Sequence, residues 1–248
     1  MGKRINSEVI DIDVQSTKAF FDNRKKKELP HRYNYVNYQD DKPEVALERD
    51  RIEKGKIERF IHFKESDYIL DIGCGVGRWG DAIIPQLISG KYVGVDYTQD
   101  FIDIAKNHFQ NQKSKFICAP FQTLKTSLEK EKILREYDVI LINGVLMYIN
   151  DEDIDCCLGG IDSLLKKEGF IYIKESVGIK KRLTLVDFYS TELEANYNVI
   201  YRSIYEYTKF LSKYFLSMGY AIISCGPTWK DEINFDDETS NYYWILMK

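Results

Sequence analysis

Between residues 68 and 174, short apolar runs alternate with stretches whose apolar positions recur at helical spacing. The runs YILDI (68–72), YVGVD (92–96), KFIC (115–118), DVILI (138–142) and FIYIK (170–174) read as strands. The intervening periodicity predicts helices over about 78–87, 101–110, 123–134 and 154–166. Strict alternation of this kind implies an α/β fold, a doubly wound and mostly parallel sheet with helices on both faces. Upstream, Pro43 to Phe63 is helical in pattern, with Pro43 suited to the first turn and Val45, Ile52, Ile57, Phe60 and Ile61 forming an approximate apolar stripe. Residues 1–42 are polar and form an N-terminal cap or lid, so the main domain spans 43–248. After Glu175 the pattern changes. A long connection over 176–200 precedes a helix ending near Gly219, and AIISCGP and YYWILMK supply two final strands. A connection of that length marks the substrate-side insertion, about 176–204.

The stretch ILDIGCGVGRWG (69–80) reads as a buried strand that stops in glycines and restarts as a helix. Gly73, Gly75 and Gly77 permit positive φ and close approach of a ligand to bare backbone, and the helix N-terminus offers unpaired N–H groups. In an open parallel sheet this carboxyl-end edge is the ligand crevice. The spacing Gly75, Gly77, Gly80 fits the dinucleotide pattern, and Asp96 follows Gly75 by 21 residues, which keeps a nicotinamide or flavin enzyme as a rival. Asp71, two residues before the first glycine, would repel a pyrophosphate and suits a positively charged amino group. The ligand is therefore expected to be cationic near the turn, with a ribose further out.

The run DIGCGVG, followed by VGVDYT (93–98) and YDVILINGVLMYI (137–149), resembles the class I S-adenosylmethionine (SAM) dependent methyltransferases in motif order and spacing, a likeness covering roughly residues 45–248. The resemblance implies a Rossmann-like sheet whose last strand is antiparallel, SAM as cofactor and S-adenosylhomocysteine (SAH) as product. It also implies site roles. Gly73, Cys74 and Gly75 would pack on the cofactor, Asp71 would orient its ammonium, Asp96 would accept both ribose hydroxyls, and Tyr97 would cover the adenine edge. Asn143, closing the fourth strand, would border the cofactor. Arg49 or Arg51 would meet the methionine carboxylate. Tyr38, among the cap phenols Tyr33, Tyr35 and Tyr38, would belong to a lid or staple the cap to the core. Resembling enzymes place an acid after the third strand to accept from the adenine amine. Pro120 stands there instead, which leaves Phe121 or Gln122 as substitutes.

The chain is long enough, at 248 residues, for one sizeable core. A net charge of −4 gives no global pull toward nucleic acid or an anionic membrane, so a small-molecule acceptor is expected. NGVLMY also lacks the Asn/Asp-Pro-Pro-aromatic run common in methyltransferases of nucleobase amines. Five cysteines show no metal spacing, and their odd number argues against a disulfide framework. With no apolar run fit for a signal peptide or a transmembrane helix, the expectation is a soluble cytoplasmic protein without a metal.

The acceptor is expected to be a hydroxyl of a sugar or sugar nucleotide, as in polysaccharide biosynthesis. That rests on a likeness of the cap FFDNRKKKELPHRYNYVNYQDD and the helix ERDRIEKGKIERF to saccharide-modifying enzymes. An amine of an amino sugar or peptide terminus is the alternative, and a SAM-binding regulator without turnover is a third reading. A hydroxyl needs a base. Candidates are Glu175, just past the fifth strand, then His31, and Asp40 or Asp41 in the cap. Tyr201, Arg202 and Tyr205 resemble a substrate-side segment of small-molecule methyltransferases, with Arg202 set to hold a phosphate or carboxylate.

Overall fold

A computed structural model describes residues 2–38, 40, 42–229 and 238–248. In chain order, β1 (Lys3–Asn6), α1 (Val14–Arg24) and α2 (Asn34–Asn37) form the N-terminal region. Asp13 starts α1 by accepting the Ser16 N–H, an N-cap that satisfies one of the helix's orphan donors. α3 (Pro43–Ile57) then leads into β2 (Tyr68–Ile72), α4 (Gly80–Ile83), β3 (Lys91–Asp96), α5 (Gln99–His108), β4 (Ser114–Cys118), α6 (Leu124–Lys130), β5 (Tyr137–Asn143), α7 (Ile154–Leu158) and β6 (Leu165–Gly178). β7 (Leu183–Ser190), β8 (Ala195–Tyr201), α8 (Ile204–Tyr214), β9 (Ala221–Pro227) and β10 (Thr239–Met247) complete the chain.

Seven strands form the main sheet in the order β4-β3-β2-β5-β6-β10-β9. β2 through β6 pair in parallel, and β10 runs antiparallel to both β6 and β9. Because side chains alternate across a strand, β2 and β5 feed two cores. Leu70, Ile72, Ile140 and Ile142 pack with Leu211 and Trp244 on one face, and Ile69, Val139 and Leu141 pack with Trp79, Tyr172 and Ile245 on the other. The expected strand positions and doubly wound architecture are therefore found. Four helices are shorter than expected, α3 ending at Ile57, α4 at Ile83, α6 at Lys130 and α7 at Leu158. Pro85 cannot continue α4, which tightens into a 3-10 turn at Ile84–Gln86, and Gly159-Gly160 follow the end of α7.

The long connection after β6 is not an irregular loop. β7 and β8 make an antiparallel hairpin, and β1 adds to β7, giving a second sheet in the order β1-β7-β8. Its signal is a period of two: Leu183, Leu185 and Val199 fall on one buried face with Met147 beneath them. Cap and insertion thus form one layer, held further by the Asn198 side-chain amide, which donates to the Ser16 hydroxyl at 2.8 Å. Phe20 and Phe21 of α1 pack with Val76, Phe101 and Leu193, so this layer lies over the carboxyl ends of the parallel strands.

Candidate functional site

The turn after β2 is shaped by positive φ at Gly73 (+72°) and Gly75 (+52°). A Cβ on Gly73 would lie 2.1 Å from the Val145 side chain, and one on Gly75 would lie 2.5 Å from Val36 of the cap. Space as well as backbone angle demands glycine. The amides of Gly73 and Cys74 both donate to the Val95 carbonyl, tying the turn to the end of β3. There Asp96 accepts the Gly75 N–H at 2.9 Å on one carboxylate oxygen and the Thr98 N–H at 2.8 Å on the other. Each oxygen keeps a further lone pair for a ligand hydroxyl. Burial raises the Asp96 pKa against these two amides.

Around this turn a cavity of about 310 Å³ opens, within the size range of small-ligand sites. Asp71, Gly73, Cys74, Gly75, Asp96 and Tyr97 line it. So do Pro120, Phe121, Gln122, Asn143, Tyr38 and Arg49. Twelve of the residues expected to hold the cofactor are thereby brought to one cavity. Burial pushes Asp71 up to about 7, although the Tyr92 hydroxyl donates to it and Arg78 lies near. The Tyr97 hydroxyl is buried without a hydrogen-bond partner among the described residues, leaving a donor on the cavity wall for a ligand. Tyr38 sits at φ +58°, a strained backbone for a non-glycine residue, and its hydroxyl meets that of Tyr148 at 2.7 Å. Burial raises Tyr38 to about 12, which keeps both partners neutral phenols.

Beneath the cavity lies a charged hub that sequence reasoning missed. Glu53 of α3 accepts from Arg78, from the Tyr172 hydroxyl at 2.8 Å and from the Asn143 side-chain amide. Burial raises its pKa, but Arg78, Lys174 and these hydrogen bonds outweigh burial and hold it at about 2. With its N–H engaged by Glu53, Asn143 keeps its side-chain oxygen as an acceptor. Arg49 and Glu53 are four residues apart on α3, on one helix face, which was the available signal for the hub. Arg51 is excluded from the cavity: its side chain is 74% exposed and pairs with Glu48.

The structure gives the expected catalytic and acceptor residues other places. Glu175 is wholly buried, and its two oxygens accept the backbone N–H groups of Val145, Leu146 and Met147 at 2.9–3.2 Å. It anchors the segment after β5 and is not among the cavity-lining residues, so it is not placed to act as the base. Burial nonetheless raises its pKa to about 7. His31 also lies outside the lining. Its Nδ1 accepts the Tyr33 N–H, and burial followed by the charge of Arg32 lowers its pKa. Asp40 is taken up by a bidentate pair with Arg24, and Asp41 lies outside the described residues.

Arg202 is fully buried, donating to Asp151 and to the carbonyls of Leu146 and Ile149 at 2.6 Å, and so pins the same segment that Glu175 holds. Tyr201 packs beside Leu183 and Val199, and Tyr205 is 68% exposed. None of the three lines the cavity. Among the described residues no group of three or more His, Cys, Asp and Glu could hold a metal ion, and no helix is long and apolar enough to cross a membrane. All five cysteines are free thiols.

The profile of the methyltransferase-domain family matches residues 63–237. Phosphoethanolamine N-methyltransferase 1 of Zea mays is 29% identical over 134 residues, 53% of this chain and 25% of that protein. N-terminal Xaa-Pro-Lys N-methyltransferase 1 of Danio rerio is 26% identical over 138 residues, 54% of this chain and 58% of that protein. The chain thus spans about a quarter of the plant relative and little over half of the fish one. Among solved structures, a SAM-dependent methyltransferase of Leishmania major superposes with a TM-score of 0.64 at 16% identity, covering 94% of this chain and 82% of that one. Phosphoethanolamine N-methyltransferase 1 of Haemonchus contortus, in complex with phosphoethanolamine and SAH, gives 0.69 at 18% identity, covering 94% of this chain and 48% of that one. These likenesses show the Rossmann-like methyltransferase fold.

Proposed function

Because the chain belongs to the methyltransferase-domain family, we propose that it is a SAM-dependent N-methyltransferase of a small polar amine. The observation that carries the cofactor reading is Asp96, fixed by two backbone amides beside a glycine turn that has no room for a side chain. SAM supplies a methyl group already activated by a positive sulfur. The residues do the rest. Asp96 accepts the two ribose hydroxyls, Tyr97 and Phe121 border the base, Asp71 and the Asn143 oxygen receive the ammonium, and Arg49 receives the carboxylate. The aromatic lid of Phe21, Tyr38 and Tyr148 excludes water from the methyl, and the phenol pair can accept from an amine to orient its lone pair.

An amine is preferred over the sugar hydroxyl for two reasons. Glu175 spends its oxygens on three backbone amides, and the matched relatives named above carry N-methyltransferase names. An amine that has lost its proton needs positioning more than a base. The test is calorimetry with SAH, followed by incubation with methyl-labelled SAM and a panel of phosphoethanolamine, an Xaa-Pro-Lys peptide, amino sugars and sugar nucleotides. N-methyl product supports the proposal. O-methyl product on a sugar nucleotide would restore the hydroxyl reading, SAH binding without turnover on any acceptor would favour a regulator, and a folded protein that ignores SAH would overturn the cofactor assignment.

A further inference from the structure

Lys174 has no task in the proposed reaction, yet its surroundings call for one. It closes the part of β6 that lies opposite Asn143 of β5, one strand further from the glycine turn, so about 4.8 Å beyond it across the sheet. The residue is 8% exposed and lines the cavity. Its ammonium makes no hydrogen bond or ion pair with any described residue. It stands over the Trp229 ring, 4.9 Å from the centroid. The same indole carries the Arg49 guanidinium at 4.8 Å and donates its N–H to the Arg49 carbonyl at 3.1 Å. Among the described residues its three donors are unengaged, so an anion entering the cavity would meet them directly.

Among the described residues, the charged groups around it make no direct pair with it. Glu53 acts on Lys174 through space, but its oxygens are occupied by Arg78, Asn143 and Tyr172. Glu175 follows Lys174 on the strand and therefore points to the opposite face, where three amides hold it. Glu192 lines the cavity and acts on Arg49. Arg78 and Arg49 add positive charge. Burial lowers the Lys174 pKa while Glu53 opposes that shift. The adenosine end of the cavity, at Asp96 and Phe121, belongs to β3 and β4 on the other side of the sheet, so Lys174, Ser176, Asn241 and Trp229 surround the end left for the acceptor.

We propose that Lys174, seated on Trp229, is an acceptor-anion subsite: it binds a carboxylate or phosphate carried by the amine acceptor. The inference rests on the methyltransferase reading above and names the acceptor as a zwitterion or an amino phosphate. With Arg49 reserved for the cofactor's carboxylate, the two cations on one indole divide two anions between them. Lys174 would then select acceptors and hold them in register for transfer, while contributing little to cofactor affinity.

The test uses the full-length protein saturated with SAH and titrated with two probe pairs, phosphoethanolamine against ethanolamine and glycine against methylamine. In wild type at least one anionic probe should bind tenfold or more tightly than its neutral-tailed partner. Lys174→Met should abolish that preference, Lys174→Arg should restore part of it, and SAH affinity in both should stay within twofold of wild type. Should the methionine variant not fold, Lys174→Gln takes its place. Absence of an anion preference in the SAH-loaded wild type overturns the subsite. A tenfold loss of SAH affinity in Lys174→Met also overturns it, by giving the ammonium to the cofactor's carboxylate. Failure of wild type to bind SAH at all is a separate result, which removes the methyltransferase reading and the subsite together.

Discussion

Replacing Asp96 with alanine removes a carboxylate that works in two directions. Toward the ligand it offers one remaining lone pair on each oxygen to the two ribose hydroxyls. Charge-assisted hydrogen bonds contribute roughly 1.5–3 kcal/mol each, so two of them are worth at least about 3 kcal/mol. At 1.4 kcal/mol per factor of ten, SAH should bind about a hundredfold more weakly or worse. Toward the protein, Asp96 satisfies the Gly75 and Thr98 amides, and each buried donor left bare costs about 1–3 kcal/mol. Part of that loss is offset because a buried carboxylate with a raised pKa is itself unfavourable. The ligand-free variant should therefore melt at a lower temperature and still fold. Isothermal calorimetry with SAH gives the first quantity and a melting curve the second. Asp96→Asn separates them, since it keeps the volume and one acceptor while losing the charge. An Asp96→Ala protein that folds and binds SAH within threefold of wild type would refute the role of this carboxylate, as would a wild type that binds NAD as tightly as SAH.

Asp71, with its pKa raised to about 7, must be ionised to meet the cofactor's ammonium, so SAH affinity should fall about twentyfold from pH 7.5 to pH 5.5 and lose that dependence in Asp71→Asn. The same raised pKa means that the folded ligand-free protein binds protons more readily than the unfolded chain between about pH 4 and 7. Its stability should drop as pH rises through that window, with Glu175 contributing from about pH 4.5, and chemical denaturation at several pH values reads this directly. Gly73→Ala brings a Cβ to 2.1 Å from Val145 at a φ of +72°, so it should lose several degrees of melting temperature and most SAH binding. Arg202→Met strips a buried guanidinium from Asp151 and two carbonyls and should cost about 3–5 kcal/mol in urea unfolding, whereas Tyr205→Ala, at an exposed position, should change neither stability nor turnover.

The parallel sheet was legible because each of its strands carries a β-favouring apolar run, and the spacing between runs left room for helices. Boundaries slipped where local chemistry intervened, at Pro85 and at Gly159-Gly160. The hairpin of β7 and β8 escaped because its alternation is interrupted. Asp187 adopts a φ of +49° beside a register shift between Leu185 and Phe188, so the period of two breaks midway along β7. Pairing of β1 with β7 joins residues about 180 positions apart in the chain, a contact that no local pattern encodes.

The site divides along the same line. Residues placed by strand ends and the glycine turn, such as Asp71, Asp96 and Asn143, have positions fixed by the fold itself, and all of them reach the cavity. Glu175 was likewise expected on the ligand side of a strand end, and its outcome differs. A carboxylate near a strand end can face the ligand or the backbone, and here three amides of the 145–147 turn claim it. Its neighbour Lys174, one residue earlier and so on the opposite face, is the one that reaches the cavity. The two roles are linked through the sheet. Glu175 and Arg202 hold the 145–151 segment, which sets Tyr148 against Phe21 and Tyr38, while Lys174 stands on the ligand side of the same strand as Glu175. Variants at Glu175 should therefore damage turnover by disordering Tyr148, and a loss of melting temperature should accompany every loss of rate. Variants at Lys174 should alter acceptor preference while the melting temperature holds.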